Sequence, residues 1–143
     1  MKGIVQLILK NPSGNINSIL LLENMVMNKG LEFITSKLND SNKKIKWCIL
    51  GTDNTPPQPT QSSLISPDPS TFILITEKYN FQNKISFNTF YSTTEANGVW
   101  QEAGLMAEGE EENILFARIT FPPLTKTNQQ TLTIIWDLIF ERR

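Results

Sequence analysis

The residues that could do chemistry are few, and the most crowded are acidic: Glu108, Glu110, Glu111 and Glu112 gather around Gly109. Two carboxylates held roughly 5–10 Å apart in a groove can cleave a glycosidic bond. With Asp137 or Asp53 the same stretch would offer hard oxygens to calcium. The spacing matches no defined calcium loop and singles out no catalytic pair, so the acids read as a solvated turn. The chain has no histidine. That removes the usual general base near neutral pH and, with it, the Ser/His/Asp and Cys/His arrangements. Cys48 is the only cysteine, which excludes an internal disulfide and a Cys-rich zinc site. Lying between Trp47 and Ile49, it reads as inert packing. The expectation is a non-enzymatic protein with no catalytic, cofactor or metal residue.

Partners are bounded by charge and hydropathy. The 143 residues carry 13 Lys and Arg against 14 Asp and Glu, a formal net charge of −1. This gives no basic footprint for a phosphate backbone, so nucleic acid is not expected. No apolar run approaches the roughly 20 residues of a membrane helix, so membrane insertion is not expected either. The opening MKGIVQLILKNPSG reads as a strand ending in a turn rather than a signal peptide. Synthesis in a reducing cytosol fits the single cysteine.

The elements that must position these residues are mostly strands. The length suits one domain, 1–143, with a single core. Strands are expected at 3–10, 17–23 and 45–53, then as a meander at 71–78, 84–93, 99–106, 113–121 and 131–141. One helix stands out at about 28–39, where Leu31, Ile34 and Leu38 recur at helical spacing. Residues 52–70 hold five of the eight prolines and read as an ordered excursion anchored by Leu64 and Ile65. The fold class is therefore mainly β: an antiparallel sandwich or curled sheet with one short helix.

Asn97-Gly98 is a strong hairpin signal, because both central positions of a type I′ turn need positive φ. Counting residues back from it sets Thr93 opposite Glu102 and Tyr91 opposite Gly104. The same count around Gly109 sets Glu102 beside Arg118 and Gly104 beside Phe116. Arg118 shares an apolar face with Ile114 and Phe116, where an unpaired guanidinium is costly. Glu102 is its expected partner. Among the aromatics, Trp136 belongs with Leu132, Ile134, Leu138 and Phe140 on a core face. Trp100 stands open between core edge and a contact surface for sugars, with Trp47 a further candidate for stacking. The opposite face of the last strand carries Ile135 and Ile139. A strand apolar on both faces is usually covered on both, here by the helix or by another subunit.

The segments TEANGVWQEAGLM and NILFARITFPPLTKTNQQTLTIIWDLIF resemble the C-terminal part of a family of tailed-bacteriophage tail-fibre and baseplate-associated proteins. The shared pattern is ANG-x-x-x-E-x-GL, then L-x-AR, a proline turn with Lys-Thr and an apolar closing strand. ENMVMNKGLEFITSKL and WCILGTDNTPP resemble the family's N-terminal half, although Asp53 replaces a glycine and residues 66–71 depart from the pattern. The resemblance implies a structural virion component, made in the host cytoplasm, with Glu102 and Arg118 as framework residues. It also implies assembly with itself, a trimer being favoured through Ile135 and Ile139, and with other tail or baseplate proteins. The alternative is an adhesin whose hairpin tips recognise a host surface glycan or protein.

Overall fold

The computed structural model describes residues 1–142. Ten strands and one helix follow in chain order: β1 (Lys2–Lys10), β2 (Ile16–Glu23), β3 (Met25–Val26), α1 (Asn28–Leu38), β4 (Ile45–Gly51), β5 (Pro67–Leu74), β6 (Glu77–Phe81), β7 (Lys84–Tyr91), β8 (Gly98–Ala107), β9 (Ile114–Lys126) and β10 (Thr131–Ile139). They form two five-stranded antiparallel sheets, ordered β2-β1-β10-β7-β6 (sheet A) and β3-β9-β8-β4-β5 (sheet B). The mainly β fold with one short helix is the one expected from the sequence.

The core lies between the sheets. Strand alternation sends Val5, Leu7 and Leu9 of β1 and Leu132, Ile134, Trp136 and Leu138 of β10 inward from sheet A. They meet Cys48, Leu50, Ala103, Leu105, Ala117 and Ile119 of sheet B in one buried cluster. Phe140, expected with the core set, lies beyond β10 and is 41% exposed.

The strands after β5 do not form a meander. The chain passes from β5 in sheet B to β6 and β7 in sheet A, back to β8 and β9, and returns to β10. The hairpin expected at Asn97-Gly98 is therefore absent. β7 pairs with β10 and β6, and β8 with β9 and β4, so Tyr91 lies opposite Leu132 and Gly104 opposite Ile49 and Arg118. Ala96 takes the positive φ of 55°, with Gly98 at 153°, in a crossover between sheets. Local turn propensity does not determine which sheet receives the next strand.

The helix forms where its periodicity places it, but of its expected apolar face only Ile34 packs against the core. Leu31 is half exposed and Leu38 is 86% exposed, while Gly30 and Phe33 are buried. A Cβ on Gly30 would stand 2.4 Å from the Phe116 carbonyl oxygen, so glycine lets the helix backbone approach β9 closely. The Phe33 ring meets Phe116 edge-on at 6.0 Å. The excursion after β4 is shorter than expected, because 67–70 belong to β5.

Candidate functional site

A buried ion pair lies on the outer face of sheet B, on the side away from sheet A. Glu102 and Arg118 are both fully buried. The carboxylate accepts from Arg118 Nε at 2.9 Å and stands 2.8 Å from Nη2. The pair is diagonal rather than directly opposed, since Glu102 faces Thr120 and Arg118 faces Gly104 across the ladder. Register shifts occur at Trp100/Glu102 and Leu105/Met106, and the second, which lies between the turn and the pair, separates the true pairing from the simple count. The second of these bulges leaves Phe116 in the main core cluster and Leu115 in a separate outer one with Met27 and Leu64.

The pair is spent on holding the excursion. Glu102 accepts backbone N–H bonds from Ser66 at 2.7 Å and Ile65 at 3.2 Å, with a longer one from Asp53. Arg118 donates to the Thr55 carbonyl at 2.7 Å and more weakly to Asp53 and Gln61. Asp53 is held below its usual carboxylate range by Thr55, with a smaller contribution from Arg118. A Cβ on Gly51 would fall 2.4 Å from a Glu102 oxygen and 2.5 Å from the Ser66 carbonyl, so only glycine admits both. Of the two expected anchors, Leu64 is buried beside Gly104 and Leu115, whereas Ile65 is exposed and contributes its backbone. Every strong donor and acceptor of the pair is engaged by the protein itself, which makes it a clamp.

The other singled-out residues are dispersed. Trp100 is buried in the core and donates to the Ala96 carbonyl at 2.8 Å, so it presents no ring to a partner. Asn97 bonds the Thr93 carbonyl and accepts from the Lys126 ammonium at 2.7 Å. Lys126 is buried there, and desolvation lowers its pKa. Trp136 is in the core, while Trp47 stacks on Phe72 at 5.3 Å. Glu108 pairs with Lys46 at 2.9 Å and accepts the Lys44 N–H, which together hold its pKa below the usual range. Glu110, Glu111 and Glu112 are exposed. Among the described residues no three His, Cys, Asp or Glu side chains are grouped as metal ligands would be. Burial pushes the Cys48 thiol up to about 11, which removes the thiolate that nucleophilic chemistry needs.

Ile135 and Ile139 point from β10 to the outer face of sheet A. The helix packs on β9 in the other sheet, so it does not cover them. Around them the same face carries exposed Leu21, Ile19, Phe90 and Phe81, which the last strand alone did not reveal. The unbroken run Ile19–Leu22 was the available signal, because a strand with one solvated face alternates. A polar island sits among them: Ser86 bonds Asp137, and Lys84 stands 3.7 Å from the same carboxylate.

Compared with known proteins, the chain matches no family model, and no curated protein or solved structure is significantly similar to it. No helix among the described residues is long and apolar enough to cross a membrane.

Proposed function

We propose that the protein is a non-enzymatic structural subunit of a bacteriophage tail, in the tail fibre or baseplate, assembling with copies of itself and with other tail proteins. The observation that carries this reading is the bare outer face of sheet A. Leu21 is 66% exposed there, and the same face carries exposed Ile19 and Phe90 with half-buried Ile135 and Ile139. Gln6 lies between Leu21 and Ile135 across the strands, yet this number of exposed apolar side chains on one sheet face marks an interaction site. The occupant proposed is a second copy of this chain, with a trimer favoured by the resemblance to tail-fibre proteins. Lys84, at the edge of the buried Ser86–Asp137 hydrogen bond, supports a protein surface as occupant, because a partner carboxylate can match its charge.

Light scattering after size exclusion tests this reading. The expected result is a trimer for the natural protein and a monomer for Ile135→Asp, Ile139→Asp and the fully surface-located Leu21→Lys. A monomeric natural protein, or an oligomer insensitive to all three changes, would overturn the self-assembly.

A further inference from the structure

A second feature lies away from both the clamp and the bare face. At one end of the sandwich a cavity of about 580 Å³ opens between α1, the connection that follows it, β6 and the end of β10. Its wall reaches the core through Phe33, Ile85, Phe116 and Leu138. Four lysines also line it: Lys37, Lys43, Lys44 and Lys78.

Two of these ammonium groups are already used. Lys37 donates to the Ser41 and Lys43 carbonyls at 2.6 and 2.9 Å, and Lys43 to the Gly109 carbonyl at 3.0 Å. Lys44 and Lys78 have no side-chain acceptor or carboxylate partner among the described residues. Lys78 lies opposite Phe87 on the inward side of β6, which aims it at the cavity. Glu108, the one carboxylate that Lys78 senses, is committed to Lys46 and to the Lys44 N–H. Lys78 is exposed on β6; partial desolvation at the cavity wall lowers its pKa, and the charges of Lys44 and Lys46 lower it further. An anion between Lys44 and Lys78 would relieve that repulsion.

The shape and chemistry of the wall narrow the ligand. Apart from Tyr79 and Asn80, the lining side chains are apolar or cationic. A peptide backbone inserted there would leave N–H groups unpaired, at a cost. A hydrocarbon chain would not, and the volume is that of an ordinary ligand pocket.

We propose that this cavity binds a free single-chain amphiphile with a carboxylate head, its chain packed against Phe33, Ile85, Phe116 and Leu138 and its head between Lys44 and Lys78. This site does not depend on the self-assembly of sheet A, and the two can fail separately.

Calorimetric titration of the intact protein with dodecanoate, kept below micelle formation, tests the proposal. One molecule should bind per chain, with dodecyltrimethylammonium and dodecyl maltoside weaker by about tenfold or more. Combined Lys44→Ala and Lys78→Ala should weaken dodecanoate by about tenfold while leaving the thermal midpoint unchanged. Leu38→Glu, on an exposed side chain at the cavity mouth, should do the same by placing an internal carboxylate near the lysines. Absence of saturable binding, equal affinity for the cationic probe, or indifference to all these variants would overturn it. So would binding to phosphatidylglycerol vesicles without binding of monomeric dodecanoate, which would identify a membrane surface instead.

Discussion

Sheet B turns Glu102, Gly104, Leu115 and Arg118 outward and closes its own helix and proline-rich excursion over them. Sheet A turns Leu21, Phe90, Ile135 and Ile139 outward, leaving Leu21 and Phe90 to solvent and the two isoleucines half-buried. The covered face contains a buried ion pair, and the bare face contains hydrocarbon. This inverts the simple expectation that charge marks the working surface. A buried charge pair needs every hydrogen bond supplied from within, so it belongs where the chain can supply them. Exposed hydrocarbon is tolerated until a second surface removes it from water.

The contrast breaks most sharply at the clamp. Arg118→Ala leaves the Glu102 carboxylate buried without its partner and should cost about 3–5 kcal/mol in urea unfolding. The combined replacement Arg118→Met with Glu102→Leu should recover much of that stability while freeing the excursion to protease. If Arg118→Ala were as stable as the natural protein, sheet B would not be held closed by the pair.

The space between the two faces gives a smaller effect, readable by pH. Cys48 has its pKa raised from 9.0 to about 11 by burial. Below pH 9 the thiol is neutral both folded and unfolded, and its contribution is fully present. As pH rises from about 9 to 11, only the unfolded chain ionises, and about 3 kcal/mol is lost. Urea midpoints at pH 8 and pH 10.5 should show about 2 kcal/mol of this loss, and Cys48→Ala should reduce it. The same loss in Leu21→Lys would show that the bare face is independent of the core.

Gly51→Ala should cost about 1–3 kcal/mol, because the new methyl group meets both Glu102 and the Ser66 backbone. Thermal unfolding would measure it. The smallest stability effect is expected on the bare face, where Leu21→Lys should change unfolding free energy by no more than about 0.5 kcal/mol. There the readout is mass, since association should be lost while the fold stays. A large stability loss on dissociation would instead mean that sheet A requires its partner in order to fold.

How much of this was legible varies by element. Most strands and the helix follow from local periodicity, and β1, β2, α1, β7 and β10 lie within a residue or two of expectation, whereas β3 and β6 were not expected and the strand expected at 71–78 is β5 at 67–74. The partnership of Glu102 with Arg118 was legible too, because an arginine among apolar neighbours demands a carboxylate. Its diagonal geometry was not, since the bulge at Leu105/Met106 displaces the register without a sequence mark. Trp100 was left open and proves to be core, as burial depends on which sheet the strand joins. The cavity lysines come from α1 with the connection after it and from β6, two parts of the chain that β4 and β5 separate. No local pattern brings them together.

Residue types and spacing alone determined the mainly β character, the helix position, the lack of histidine or disulfide chemistry, and the need to compensate Arg118. These follow from local sterics, from titration chemistry and from the cost of desolvating a charge. Only the tertiary structure decided that the chain crosses between sheets after Tyr91, that the helix docks through Gly30 rather than its leucines, and which outer face stays bare. Those outcomes depend on contacts between distant segments, where many pairings share the same local preferences and packing selects one.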